Sequence, residues 1–285
     1  MKILFCTDGS KISYHSIQNF SYWFENIEVD IMCVIDWSFL PDTVSLEHSE
    51  FAYQCTNSAD SILDYTEKFL QENNINVTKK IKMCGPTVDA ILDILDKSEY
   101  DFIVLGSHGK KGIQKWLGSV SQEIASVAKI STYISKERNE RKKVLFTVDN
   151  SELSTKVISK CLNMMDLSDR EIYLVTVFEI PDYLFLEGNL DSNWMLEIEK
   201  KQETASHILL NQYEKLFNDK NLNVISKKTL SGVPAQEIIK YAKKEDIDLV
   251  VTGTRDRKYL SKFILGSVSK RILENVQSDV LIVRT

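Results

Sequence analysis

The feature that most constrains this chain is an internal repeat. Val104-Leu105-Gly106-Ser107-His108-Gly109, followed by Gly118-Ser119-Val120-Ser121, returns as Val251-Thr252-Gly253-Thr254-Arg255-Asp256, followed by Gly266-Ser267-Val268-Ser269. Each copy reads as the end of a buried strand, a glycine-bearing loop and the start of a helix. Backbone N–H groups pointing out of such a loop, with the positive end of a helix dipole behind them, suit an anion such as phosphate. The copies differ at one informative place: the first has Gly109 where the second has Asp256.

The repeat runs through the whole sequence. Lys143 to Ser151 repeats Lys2 to Ser10, Ile247 to Gly253 repeats Tyr100 to Gly106, and Gly232 repeats Gly85. The register offset is 141 from Asp8 to Asp149 and 147 from Gly106 to Gly253, so the second copy carries about six extra residues in its middle. Such self-similarity implies two domains of one design. Their expected limits are 1–138 and 139–285, meeting in the polar stretch Ser135 to Lys142.

Within the first copy, Ile3 to Thr7 is a short apolar run typical of a strand covered on both faces. Asp8-Gly9-Ser10 turns the chain, and Ser10 is the expected N-cap of a helix over Ile12 to Phe24. Val29 to Ile35 is the second strand, and Asp36 to Phe51 reads as a long irregular loop. Ser58 to Glu72 is an amphipathic helix with Ile62, Leu63, Tyr65, Thr66, Phe69 and Leu70 on its apolar side. Val77 to Met83, with Thr78, Lys80 and Lys82, suits a charged edge strand. Thr87 is the expected N-cap of the third helix, whose core face is Ala90, Ile91, Ile94 and Leu95. Phe102 to Leu105 is the fourth strand. Ser119 to Lys129 is the fourth helix, with Val120, Ile124 and Val127 inward, and Thr132 to Ile134 is the fifth strand. In the second copy Ser151 is the expected cap, Ile172 to Phe178 a strand and Glu197 to Phe217 a long helix. The extra residues are expected around Pro181 to Trp194, where Tyr183, Phe185, Leu186 and Trp194 suggest packing against the other domain or a dimer mate.

Strands alternating with helices predict an α/β fold: two similar doubly wound domains, each a five-stranded parallel sheet with helices on both faces. With strand order 3-2-1-4-5, ligands belong at the carboxyl ends of the strands between the first and the fourth. Asp8 and Gly106, and likewise Asp149 and Gly253, then meet across one crevice.

The net charge of −6 argues against a nucleic-acid surface but not against a single nucleotide. No apolar run approaches the ~20 residues of a membrane span, and Met1 to Cys6 is too short an apolar run for a signal peptide; a cytoplasmic protein is the expectation. Cys6, Cys33, Cys55, Cys84 and Cys161 show no metal or redox spacing, and Cys6 and Cys33 are expected as buried thiols. The four histidines form no metal-ligating pattern. Gly106-x-x-Gly109-x-x-Gly112 is neither a dinucleotide fingerprint nor a Walker loop. Lys110, Lys111 and Lys115 form a solvated basic loop, and Arg255 and Arg257 flank Asp256. No nucleophile elbow or triad order appears. Each singled-out residue also has a plain structural reading: Gly106 and Gly253 can end strands against helices, Ser119 and Ser267 can cap helices, and Asp8 and Asp149 can cap turns.

An Asp after the first strand, and Gly-x-x-Gly leading to Gly-Ser-Val-Ser after the fourth, resembles the universal stress protein family in its tandem arrangement, over essentially the whole chain. The resemblance implies an adenine nucleotide, ATP or a relative, with or without Mg. It implies Asp8, Gly106, Gly109, Gly118, Ser119 and Val120 as binding residues in the first domain, with Val34 near the base. In the second domain it implies Asp149, Gly253, Gly266 and Ser267. The family spacing of nine residues before the last glycine is eight between Gly109 and Gly118, and nine between Asp256 and Gly266. Asp256 adds a Cβ and a negative charge where phosphate must approach. The resemblance therefore implies a nucleotide in domain 1, with domain 2 a degenerate copy serving as intrachain dimer partner, and leaves a homodimer open. A nucleotide-independent scaffold for a protein partner is the alternative, and a weak ATPase, for which no base is evident, a third.

Overall fold

In the computed structural model the described residues are 1–36, 50–108, 117–136, 140–180, 192–254 and 265–285. The chain divides into two compact units, Met1–Arg138 and Asn139–Thr285. Gly109, Gly112, the basic loop Lys110 to Lys115, Arg255 to Arg257 and the aromatics Tyr183 to Leu186 lie outside the described residues.

The first unit runs β1 (Lys2–Cys6), α1 (Lys11–Trp23), β2 (Glu28–Ile35), α2 (Glu50–Glu72), β3 (Asn76–Cys84), α3 (Thr87–Lys97), β4 (Phe102–Gly106), α4 (Ser119–Val127) and β5 (Ser131–Ser135). Its strands lie in the order β3-β2-β1-β4-β5 and pair in parallel. The second unit runs β6 (Lys143–Thr147), α5 (Glu152–Met164), β7 (Glu171–Phe178), α6 (Ser192–Asn218), β8 (Val224–Ser231), α7 (Pro234–Lys244), β9 (Leu249–Gly253), α8 (Ser267–Asn275) and β10 (Asp279–Val283). Its order is the same plan, β8-β7-β6-β9-β10, again parallel.

The central strands are apolar throughout because both faces are covered. Ile3, Leu4 and Phe5 are fully buried, as are Val144 and Leu145. In the first unit α1 packs over β4 and β5 and α2 over β2 and β3, with Tyr14 of α1 against Tyr65 and Phe69 of α2. α3 and α4 pack on each other, on the opposite face that right-handed crossovers assign to them. Phe20 stacks on Phe24 at 4.3 Å and meets Phe102 and Tyr133 edge-on, which anchors α1 on β4 and β5. Burying each such ring is worth roughly 2–3 kcal/mol.

The turns repeat as faithfully as the strands. Asn74 and Asn221, both at φ 59, end α2 and α6 in the left-handed region that Asn tolerates. Gly85 (φ 127) and Gly232 (φ 131) each donate their N–H to the last residue of the neighbouring strand, Ile35 O and Phe178 O, at 3.0 Å. That backbone requires glycine.

Several local expectations are corrected. Pro86, not Thr87, stands at the N-cap of α3 with no side-chain cap, and the Thr87 hydroxyl donates to Asp36 Oδ2 at 3.2 Å. A proline at the cap sets the entry, so the helix begins one residue earlier than a Thr cap implies. Tyr65 and Val127 are exposed rather than inward; Ser121 and Ala125 take the inward positions beside Ile124. α2 begins at Glu50 and α6 at Ser192, both earlier than their apolar patterns indicated. Trp194 falls in the first turn of α6. Part of the extra length in the second unit also lies elsewhere, since the α5–β7 connection runs 165–170 where α1–β2 runs 24–27.

Candidate nucleotide site at the carboxyl ends of the strands

The crevice forms where the strand order reverses. The register Phe5↔Val104 sets Thr7 level with Gly106, and Cys6↔Met32 sets Asp8 level with Val34. Asp8, Gly106 and the end of β2 near Val34, separated by up to 98 residues in sequence, are therefore neighbours along one rim. Asp8 is exposed, and its Oδ1 accepts the Ser10 N–H at 3.0 Å, closing the turn that enters α1. Gly9 takes φ 72 within that turn. Ser10 caps α1 as expected, accepting the Ser13 N–H.

After β4, the chain returns to the rim at Gly118. Gly118 is the N-cap of α4 and makes no side-chain cap bond, so Ser119 is the first helical residue rather than a cap. Ser119 is exposed and Val120 half-buried. The leading amides of α4 thus face the crevice without a side-chain acceptor from the cap, the condition under which a helix terminus suits an anion. Gly118 donates to Ser107 O at 2.6 Å, and a Cβ there would press on Ser107 O at 3.2 Å and His108 Cα at 3.4 Å. That close approach needs glycine.

Gly106 has a different reason to be glycine. A Cβ on it would meet Ile12 of α1, backbone and side chain, at 3.2 Å. Gly253 sits likewise against Val157 Cγ2 at 3.0 Å and Leu153. Both strand-end glycines serve strand–helix packing. Gly266 and Ser267 repeat the Gly118–Ser119 arrangement, with Gly266 at the N-cap of α8 and Ser267 exposed.

Residues overlooked in the sequence hold this frame together. The buried Ser121 hydroxyl donates to Gly106 O at 2.7 Å, and Ser269 donates to Gly253 O at 2.6 Å, so each strand end is tied to the helix that follows. The second serine of each Gly-Ser-Val-Ser was the available signal. Ser107 Oγ lies 3.1 Å from His108 Nδ1 beside the same helix start. At the other end of the crevice a hydroxyl pair, Thr7 Oγ1 and Ser13 Oγ at 2.9 Å, supports the Asp8 turn from below.

Cys33 and Cys161 are buried, Cys6 is only half-buried where a buried thiol was expected, and Cys84 is exposed. Burial pushes the Cys6 thiol far above its usual range, with Cys33 adding to it, and burial holds Cys161 up at about 12. Such thiols carry negligible thiolate at neutral pH. Among the described residues no group of three His, Cys, Asp or Glu is placed to hold a metal, and no helix is long and apolar enough to cross a membrane.

With two strand-ordered repeats and two glycine-led helix starts in view, comparison with known proteins decides the family. The universal stress protein family model matches the chain twice, over residues 1–136 and 140–284. The chain belongs to the universal stress protein family. It is a tandem member, one family domain in each half. It is similar to a universal stress protein of Methanocaldococcus jannaschii, 28% identical over 155 residues, covering 54% of this chain and 89% of that one. Its fold matches the crystal structure of a universal stress protein from Archaeoglobus fulgidus with a TM-score of 0.71 at 18% identity, covering 99% of this chain and 96% of that one. A Pseudomonas aeruginosa chain matches at a TM-score of 0.69 and 13% identity, with 99% and 92% covered. These likenesses establish the tandem universal-stress fold.

Proposed function

We propose that this tandem universal stress protein binds an adenine nucleotide, ATP or a close relative, in its first domain. The observation that carries the reading is the start of α4. A glycine cap without a side-chain acceptor, pressed against Ser107 and His108, leaves the leading amides of α4 on the same rim as the exposed Asp8 carboxylate. Phosphates take the amides of Ser119 and Val120 and the loop containing Gly109. The sugar hydroxyls donate to Asp8, and the base lies toward Val34 at the end of β2. Mg accompanies the phosphates as part of the nucleotide. The second domain, with Asp149, Gly253, Gly266 and Ser267 in matching places but Asp256 in its loop, is the non-binding copy.

The nucleotide acts as a regulatory ligand that stabilises the native state by mass action, about 2.7 kcal/mol at a hundredfold excess over Kd. Turnover is not part of the reading. The test is calorimetric titration of ATP into the protein and into Gly109→Asp, which copies Asp256 into the first domain. The parent chain should bind, and the variant should bind at least about tenfold more weakly, one decade in Kd, with an unchanged melt in the absence of ligand. Equal affinity in both would remove the first loop from the phosphate site. One observation favours a protein-binding scaffold instead: Trp194 and Leu196 are exposed at the start of α6. A parent chain unresponsive to millimolar ATP would turn the reading that way.

A further inference from the structure

Asp36 follows the last residue of β2 and stands two places beyond Val34. The pairing Ile35↔Cys84, with the Gly85 N–H donating to Ile35 O at 3.0 Å, brings the end of β2 against the turn that enters α3. From that turn the Thr87 hydroxyl donates to Asp36 Oδ2 at 3.2 Å, across 51 residues of sequence. α3 begins at Pro86 with no side-chain cap, although a threonine is at hand. The Thr87 proton therefore serves Asp36 rather than its own helix. The tie holds an exposed carboxylate at the rim, beside the amino end of α3, where the helix dipole favours a negative charge.

The second domain keeps the turn and loses the tie. Gly232 takes the same backbone as Gly85, φ 131 against 127, and donates to Phe178 O at 3.0 Å. Glu179 stands in the place of Asp36, and Pro234 in that of Thr87. Proline has no side-chain donor, and glutamate carries its carboxylate on one more rotatable bond. The hydroxyl that fixes Asp36 thus has no counterpart at residue 234.

A carboxylate accepts hydrogen bonds and does not donate them. Adenine offers it an N–H at its 6-amino group. Hypoxanthine has a carbonyl in that place, and two acceptors repel. A site built to take a ligand N–H rejects the analogue lacking it, because its own polar group is then left unpaired. We infer that Asp36 is a specificity-determining residue of the first-domain site: its carboxylate, held by Thr87, accepts the 6-amino group of adenine and turns away a base with a carbonyl there. This inference rests on the nucleotide reading of the first crevice, with the base toward Val34. The role needs Asp36 to be fixed, not vacant, since a carboxylate takes several donors at once.

The experiment is calorimetric titration of ATP and of inosine triphosphate into the full chain, for the parent, Asp36→Asn and Thr87→Val. The parent should prefer ATP by about tenfold, one decade in Kd. In Asp36→Asn the amide can donate to the 6-carbonyl, so ATP should weaken, inosine triphosphate should tighten, and the preference should vanish or invert. Thr87→Val, which leaves Asp36 present but untied, should shrink the preference by a smaller factor. A loss of fold or of phosphate contacts would weaken both nucleotides alike and leave their ratio unchanged, so the ratio separates specificity from general damage. A parent that binds both nucleotides equally, or a ratio unchanged in Asp36→Asn, would overturn the inference while sparing the nucleotide reading. A ratio that shifts in Asp36→Asn but not in Thr87→Val would overturn the part given to Thr87. A parent that binds neither nucleotide removes the reading, and the inference with it.

Discussion

The first and second domains share a backbone plan and diverge in polar detail at both ends of their sheets. At the amino end, Leu4 pairs with Asp30, and in the second domain Leu145 pairs with Tyr173. Asp30 is buried and accepts from Tyr100 OH at 2.7 Å and from Thr78, with Lys2 Nζ at 3.3 Å and lying over the Tyr100 ring. The matching residues in the second domain are Tyr173, Ile247, Ile225 and Lys143, so the carboxylate and its two hydroxyl donors are absent together, while the lysine is kept and donates instead to Glu245 O at 2.9 Å. Polar clusters of this kind are replaced as sets because a half-satisfied one is worse than none. At the helix layer the exchange is a swap. Tyr14 of α1 meets Thr66 of α2 at 3.4 Å, while Thr155 of α5 meets Tyr213 of α6 at 3.4 Å, the same pair with its sides reversed. Tyr213 also donates to Asp149 O at 3.0 Å, one more bond onto the second-domain turn. The packing contact is thus present in both domains through a compensated exchange.

The largest expected effect breaks the amino-end difference. Asp30→Ala leaves Tyr100, Thr78 and Lys2 without their acceptor and should cost the first domain about 3 kcal/mol, whereas Tyr173→Phe should cost the second domain under ~1 kcal/mol. Hydrogen exchange of strand amides in each domain reads the two separately. The same contrast has a pH form. Burial alone would raise the Asp30 carboxyl, but the bonds from Thr78, Tyr100 and Lys2 outweigh it and hold it below its usual 3.8. A depressed folded-state value means stability present above the unfolded value and lost as pH falls through the lower, folded one. Acid titration below about pH 4 should therefore weaken first-domain protection, and Asp30→Asn should remove that pH dependence.

Next in size are the strand-end glycines. Gly106→Ala meets the Ile12 backbone, which cannot give way, and should cost about 2 kcal/mol; Gly253→Ala meets chiefly the ends of Val157 and Leu153, which can shift, and should cost about 1 kcal/mol. Denaturant melts would show whether the ranking holds. Ser121→Ala and Ser269→Ala should each cost about 1 kcal/mol, with the Ser121 change alone also lowering ATP affinity, as seen by titration. The smallest effect is at the edge strand. Lys80 and Lys82 bridge to Asp64, Glu67 and Asp60 of α2, but these are exposed pairs, and Lys82→Ala should hardly move the melt.

Much of this architecture was legible in the sequence because the signals were repeated. Apolar strands in matching order, paired glycines and Ser10 and Ser151 as caps all carry local physics that survives out of context. Local expectations failed where a neighbour decided the outcome. Thr87 was outranked as cap by Pro86, whose ring sets the helix entry. Val127 and Tyr65 follow helical spacing yet are exposed, and among the described residues the ring of Tyr65 touches the helix layer only through Tyr14. At the candidate site, Asp8, Gly106 and Gly118 could be named from pattern alone, but not the distinction among them. Gly106 answers to Ile12 and Thr7 to Ser13, both within α1, and Gly118 to Ser107 and His108, which the motif contains but whose approach to Gly118 only the fold reveals.

The central claim is that one crevice, in the first domain, holds an adenine nucleotide. The direct measurement is to purify the full chain without added ligand, denature it, identify released nucleotide by chromatography and mass, and then titrate the emptied, refolded chain with ATP. The account predicts adenine nucleotide and a stoichiometry of one per chain. Two equivalents would contradict the division of labour between the domains, and neither released nucleotide nor a titration signal at millimolar ATP would contradict the claim itself.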